Sequence, residues 1–155
     1  MPSCNIPLVF GSVLSLSAAV LHFACIPWGV DGFKFLGAGE PIIRMSASGH
    51  WYPPFIAFSI GSVLSVWSAY ALSGAGMLPP LPHLRWVLVG ISAIYLLRAV
   101  AFPLLKPAFP GNSNAFWLMT SSICLFIGLV HLIGLIQVWE YTRSNTPPHI
   151  RRQSL

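Results

Sequence analysis

Residues 115–139 read AFWLMTSSICLFIGLVHLIGLIQVW, a stretch without one charged side chain. An α-helix needs about 20 apolar residues to cross the hydrocarbon core of a bilayer. The stretch is therefore long enough to span a membrane as a helix. It is too long and too uniform for a strand of a membrane barrel, which alternates apolar and polar residues over about 10 positions.

Three further stretches of the same kind precede it. Residues 6–28 and 55–72 carry no charge, and residues 86–105 are interrupted only by Arg98. Proline and glycine, the strongest breakers of local structure, bound each stretch. The sequence predicts an all-α fold, an integral membrane four-helix bundle over residues 1–142, followed by a basic tail at 143–155. The polar first linker is predicted to hold a short interfacial helix near residues 40–45.

The composition agrees with this class. Of 155 residues, 55% are hydrophobic and only 7% are charged, whereas soluble domains carry about 25% charged residues. A cytosolic enzyme, a disordered chain and a disulfide-rich secreted domain are therefore poor fits. The net charge of +5 comes from scattered residues, so we expect the bilayer as partner and no nucleic acid. The three cysteines form no CxxC pair, which argues against a zinc site.

The distribution of basic residues predicts the orientation. Lysine and arginine are more frequent in cytoplasmic loops. The side that holds both termini carries one more basic residue than the opposite side. We therefore expect a multi-pass membrane protein with its termini in the cytoplasm and its first linker facing outward. The residues counted are Arg85, Arg143, Arg151 and Arg152 on the terminal side, and Lys34, Arg44 and Lys106 opposite.

Arg98 is the strongest single signal for a site. A charge within a membrane span costs about 2.5–3.5 kcal/mol on insertion scales. Such residues face the bundle interior, or their long side chains extend to the interface. Two interpretations therefore stay open, a structural arginine that snorkels or pairs, and a site for an anion or a headgroup.

The predicted depth in the membrane groups other residues with Arg98. His22 lies roughly 9 Å, and Arg98 roughly 10 Å, from the outward ends of their predicted helices at 1.5 Å per residue. Asp31 and Glu40 lie in the linker above both, and either would neutralise Arg98. His50 is a further titratable group at the same mouth. The sequence thus predicts an outward polar pocket of His22, Arg98, Asp31 or Glu40, and His50.

His131 is predicted to pack rather than to bind. Ser121, Cys124, Gly128, His131 and Gly134 recur every three or four residues, and small residues at that spacing let helices approach closely. His131 would lie some 15 Å from His22 in depth. A shared metal or a haem held between the two imidazoles is therefore not expected.

The run LHFACIPWG at residues 21–29, followed by GAGEP at residues 37–41, resembles uncharacterised small four-helix inner-membrane proteins of bacteria, of the DoxX-like group. The resemblance implies a small membrane protein, and some members of that group are associated with quinone-linked oxidoreductase complexes or redox homeostasis. It assigns no catalytic residue, and this chain has no redox cysteine pair.

Three functions remain open. The leading hypothesis is a non-catalytic accessory or binding subunit of a larger membrane complex or homo-oligomer. Its pocket would take a small anion, a quinone or a lipid headgroup. The second is a quinone-linked redox enzyme subunit that uses His22 or His50 as a proton carrier. The third is a protective, immunity-type protein that recognises its partner through the first linker. No HExxH, GxSxG or P-loop motif is present, and no predicted span holds a carboxylate.

Overall fold

The structure, a computed structural model, describes residues 4–144, with side chains through residue 139. Within this range the chain forms helices and no strand, which confirms the predicted all-α class. The basic tail predicted at 143–155 lies outside the described residues except for the end of the last helix. The helices are α1 (Ile6–Trp28), α2 (Val30–Phe35), α3 (Glu40–Ala47), α4 (Tyr52–Gly74), α5 (Leu84–Val100), α6 (Phe102–Leu105) and α7 (Asn114–Ser144).

Three of these helices are long and apolar enough to cross a membrane. They are α1, α4 and the part of α7 from Asn114 to Trp139. A fourth span results if α5 is counted together with the bent segment that follows it, Phe102–Ala108, which includes a 3-10 turn at Lys106–Ala108. The described chain therefore has three to four candidate membrane-spanning helices. The polar linker holds two short helices, α2 and α3, where one was predicted.

The third predicted span, 86–105, differs from the structure. The helix ends at Val100, and the axis then turns by 61° into the next segment. Pro103 explains the break, because proline lacks an N–H and its ring clashes with the carbonyl four residues earlier in a continuing helix. Proline fits well in the first turn of a new helix, which is its place in α6. Arg98 consequently lies in the last turn of α5.

The four long helices pack side by side, α1 against α4 and α5 against α7, with α7 also covering α1. The first residues of α1 meet the last turns of α4 and the far part of α7. Asn5 N–H donates to Ala75 O (3.3 Å) and Asn5 Nδ2 donates to Gly134 O (2.9 Å). We call this the opposite end of the bundle. The other end, where α1 ends and residues 29–51 lie, is the linker end.

Two apolar clusters hold the helices together. The larger one fills the centre of the four long helices with small and medium side chains. The smaller one, Cys25, Phe33 and Ala57, fixes α2 to the linker ends of α1 and α4. The linker is therefore packed onto the bundle at α2. The buried residues of the larger cluster include Leu8, Ala19, Leu64, Ala71, Leu88, Ile91, Tyr95, Ile127 and Leu135.

Candidate functional site

The Arg98 side chain extends from the last turn of α5 to the first turns of α7. Its guanidinium carbon lies 5.2 Å from the ring centroid of Trp117, over the ring. Trp117 lies three residues after the start of α7, at the linker end. A cation over an indole face is attracted by the ring quadrupole. The Arg98 side chain thus points toward the linker end of the bundle, as that of a snorkelling arginine does. Its Nη1 atom is nevertheless buried between helices.

Three hydrogen-bond donors of Arg98 and the first turns of α7 are buried and unpartnered among the described residues: Arg98 Nη1, Trp117 Nε1 and Ser121 Oγ. Trp117 is 3% exposed and Ser121 is 8% exposed. Residues four apart share one face of a helix, so the indole and the hydroxyl both face the bundle interior from α7. We call these three residues the Arg98 cluster.

The donors of the Arg98 cluster suit a ligand that accepts hydrogen bonds. A buried donor without a partner costs about 1–3 kcal/mol, and more when it is charged. Indole and guanidinium N–H groups only donate. An anion that accepts from all three groups would remove this cost and neutralise the arginine. No carboxylate pairs with Arg98 within the part of the chain that the structure describes.

His22 does not join the cluster through any contact in residues 4–139. It is half-buried, and its Nδ1 lies 2.8 Å from Ala18 O, one turn earlier in α1. A carbonyl can only accept, so Nδ1 carries the proton in this contact. Ser15 Oγ lies 3.1 Å from Tyr95 OH, which aligns the two helices. His22 is about 10 Å beyond Ser15 and Arg98 only about 4.5 Å beyond Tyr95, so their backbones differ in depth.

The linker residues predicted for the pocket lie apart from Arg98. Asp31 and Lys34 form a long ion pair of 3.9 Å, with side chains 78% and 57% exposed. Glu40 lines a separate cleft on the linker. His50 is exposed, accepts from Tyr52 N–H (3.1 Å) and stacks on Trp51. The structure therefore does not bring Asp31, Glu40 or His50 into contact with the cluster.

His131 lies in the packing face predicted for it. The residue is fully buried, its Nδ1 donates to Ile127 O (2.9 Å), and its ring stacks on Tyr95 at 5.6 Å between centroids. A Cβ atom at Gly11 would lie 2.8 Å from His131 Cε1, so the ring rests directly on the α1 backbone. This imidazole fills the contact between α1, α5 and α7.

Cysteine and metal chemistry find little support in the described residues. Cys4 is exposed, Cys25 is buried and Cys124 is half-buried, and all three are free thiols. Within residues 4–139, no three His, Cys, Asp or Glu side chains gather in a group that could hold a metal.

Sequence reasoning found Arg98 but missed Trp117 as its neighbour. The available signal was the interior face of α7, because Trp117 continues the small-residue series Ser121, Cys124 and Gly128 by one step of four. No family model, curated protein or solved structure matches the chain. The resemblance to DoxX-like proteins at residues 21–29 and 37–41 therefore stays a prediction.

Proposed function

We propose that this chain is a four-helix integral membrane protein that acts as an accessory or binding subunit and holds an anionic ligand at the Arg98 cluster. The single observation that carries the ligand class is the set of three buried, unpartnered donors, one of them charged. Buried charges in proteins are paired or neutralised. A phosphate or carboxylate supplies both the charge and the acceptor atoms.

The outer surface of the long helices supports a membrane location. Large apolar side chains are exposed along α1, α4 and α7, for example Phe10, Val20, Phe58, Val66 and Phe126. In water such a surface would be an aggregation liability, because soluble monomers rarely expose large contiguous apolar patches. In a bilayer it is the surface that contacts lipid.

Aromatic residues at both ends of the bundle support the same location. Trp28 and Trp51 are exposed at the linker end, and Trp86 is exposed at the opposite end. Arg85 lies over the Trp139 ring at 5.4 Å. Tryptophan is enriched at both membrane–water interfaces, where one side of the ring is apolar and the other is wet. The charge count favours cytoplasmic termini, and the resemblance to DoxX-like proteins favours an inner membrane.

A binding role fits better than catalysis. The Arg98 cluster contains donors and a charge but no group that commonly acts as a general base. The histidines lie elsewhere: His22 and His131 bond to their own helices, and His50 is exposed on the linker. A quinone, whose carbonyl oxygens also accept hydrogen bonds, is the alternative occupant and would point to the redox function.

The test is native mass spectrometry of the full chain, extracted in mild detergent, with an absorption spectrum of the same sample. We expect the wild type to retain a phosphate- or carboxylate-bearing ligand that the Arg98→Gln variant loses. Removing a charge-assisted contact of this kind weakens binding about tenfold or more. Arg44→Gln, which removes an exposed arginine from the linker helix α3, is the matched control and should retain the ligand.

Two results would contradict this proposal. An Arg98→Gln variant that retains the same ligand as the wild type would show that the cluster does not hold it. The second result is a quinone that is detected by its ultraviolet absorption in the wild type and is absent from Arg98→Gln. The ligand of the cluster would then be a quinone and not an anion, which favours the redox subunit.

A further inference from the structure

A second polar site lies on the linker, separate from the Arg98 cluster. It is a cleft of about 190 Å³ between the start of α3 and the loop that follows the 3-10 turn. Its charged and polar lining residues are Lys34, Glu40 and Asn112, and its apolar lining includes Ile43 and Phe109. The cleft therefore presents one cation, one anion and one amide around a partly apolar floor.

The size of the cleft limits the ligand. Pockets for drug-sized ligands measure roughly 300–1,000 Å³. The cleft is therefore smaller than a pocket for a drug-sized ligand. A headgroup or a molecule of amino-acid size fits inside it, and any longer part of a ligand would extend from its open side.

The carboxylate of Glu40 is available for a ligand. Arg44 lies four residues further along α3, the spacing at which Glu and Arg commonly pair on a helix. Glu40 nevertheless has no ion pair or hydrogen bond from its side chain among the described residues, where Lys34–Asp31 is the one ion pair found. Glu40 is one of the residues that line the cleft.

Asn112 adds a second acceptor. Its Nδ2 donates to Gly37 O at 2.9 Å, which ties the loop to the linker. Because Gly37 O can only accept, the amide is oriented with its nitrogen toward Gly37, and Oδ1 is left as an acceptor. A carboxylate and an amide oxygen together suit an ammonium group, which has three donors and no acceptor.

Lys34 supplies the opposite charge. Its ion pair with Asp31 is long and both side chains are largely exposed. Such a pair is weak because water screens it, so the ammonium can turn toward a ligand in the cleft. An anionic group would meet Lys34 while an ammonium group meets Glu40.

From this arrangement we infer that the cleft binds a small zwitterion, a molecule that carries an ammonium and a phosphate or carboxylate a few bonds apart. Two sources share this chemistry, a free metabolite and the headgroup of phosphatidylethanolamine at the membrane surface. None of the three cluster residues lines the cleft. The two sites are neighbours, because Phe109 in the cleft wall packs edge-on against Trp117 at 6.1 Å between ring centroids.

The experiment titrates the full chain in lipid-free detergent with O-phosphoethanolamine by calorimetry. Glycerol phosphate and ethanolamine, which carry one charged group each, are the matched ligands. We expect both to bind about tenfold more weakly than phosphoethanolamine, because each lacks one charge-assisted contact. This comparison uses the wild type only and does not depend on a variant that must fold. Equal affinity of glycerol phosphate and phosphoethanolamine would overturn the inference.

Variants locate the site. Glu40→Gln and Lys34→Gln should each weaken phosphoethanolamine binding about tenfold. Arg44→Gln on the same helix α3, outside the cleft, should leave the affinity unchanged. The same titrations in Arg98→Gln, which lacks the charge that would hold a phosphate at the Arg98 cluster, separate failure of this site from failure of that cluster. If Glu40→Gln has the same circular dichroism spectrum as the wild type and binds phosphoethanolamine with the same affinity, the inference is overturned.

Native mass spectrometry of protein extracted from membranes separates the two sources. Phosphatidylethanolamine that is retained by the wild type and lost in Glu40→Gln identifies the lipid. Binding of soluble phosphoethanolamine without any retained phosphatidylethanolamine identifies a free zwitterion. Retention of phosphatidylcholine as strong as that of phosphatidylethanolamine would contradict recognition of the ammonium, because a quaternary nitrogen donates no hydrogen bond.

Discussion

Replacing Gly11 by leucine is expected to prevent α1 from docking on α7. A Cβ atom at Gly11 would lie 2.8 Å from His131 Cε1 and 2.9 Å from Nδ1. The imidazole has little room to move away, because it is fully buried, bonded to Ile127 O and stacked on Tyr95. Overpacking of a close contact costs about 1–3 kcal/mol, and the whole side chain of leucine would exceed that range.

Alanine at Gly11 measures the close contact itself. In a helix, alanine is about 1 kcal/mol more favourable than glycine. We therefore expect a net loss of roughly 0–2 kcal/mol for Gly11→Ala after this gain is subtracted from the overpacking cost. The matched control is Gly90→Ala in α5, because a Cβ atom there meets no other atom within 4 Å. That control should be as stable as the wild type or more so.

The measurement is the free energy of unfolding in mixed detergent micelles. The fraction of denaturing detergent is raised stepwise, and the loss of helix is followed by circular dichroism. A double variant tests the pair directly. Gly11→Ala should lower the free energy of unfolding less in a His131→Ala background than in the wild type. The effects of substitutions at two residues in contact are not additive. Gly11→Ala with the same stability as Gly90→Ala would show that His131 yields without cost, and the proposed α1–α7 contact would be wrong.

The sequence was sufficient for the apolar spans because their signal is local. The first span, predicted at 6–28, has the same bounds as α1, and the last, predicted at 115–139, lies within α7. Length and hydropathy alone define such segments. The small-residue face of α7 was also readable, since Gly128 and Gly134 do receive side chains from neighbouring helices.

The grouping of the site residues was harder, because it depends on how helices end and turn. The depth calculation placed Arg98 within a straight helix that ends at Leu105. Pro103 breaks that helix, so Arg98 lies in its last turn instead. The direction of the Arg98 side chain, over Trp117, follows from the packing of α5 on α7. No periodicity in either helix specifies that contact.

The linker could not be placed from its composition. Its charged residues suggested a lid above Arg98. In the structure Phe33 of α2 packs against Cys25 and Ala57 instead, and the loop at Asn112 bonds to Gly37. The carboxylates are thereby held at the surface, where Asp31 pairs with Lys34 and Glu40 lines the cleft. The bond between Asn112 and Gly37 joins residues 75 positions apart, and a single sequence does not reveal such a contact.

Alanine at Gly37 is expected to detach the linker from the start of α7. Gly37 has a φ of 72°, in the left-handed region, where a residue with a Cβ is about 1–2 kcal/mol less stable. Its added Cβ would also overlap the ring of Phe116. The carbonyl of Gly37 accepts the hydrogen bond from Asn112 Nδ2, so a shift here also disturbs the wall of the cleft.

Gly49→Ala separates the cost of the left-handed backbone from the cost of the overlap with Phe116. It has the same φ of 72°, but a Cβ atom there would meet nothing within 4 Å. Gly49→Ala should therefore lose only the backbone cost of about 1–2 kcal/mol and keep full affinity for phosphoethanolamine. Gly37→Ala should lose a further 1–3 kcal/mol or so from overpacking, together with affinity in the cleft. Digestion of the linker by a protease reports the same detachment locally.

The pair of variants also decides how the cleft is held together. If Gly37→Ala and Gly49→Ala lose equal stability and keep equal affinity, Phe116 moves aside freely and the Gly37–Asn112 bond does not shape the cleft. If Gly37→Ala loses affinity while Gly49→Ala retains it, the contact of the linker with Phe116 and Asn112 positions Glu40 for its ligand. Binding at the linker then depends on how α7 begins, and a ligand in the cleft would in turn stabilise the docked linker by mass action.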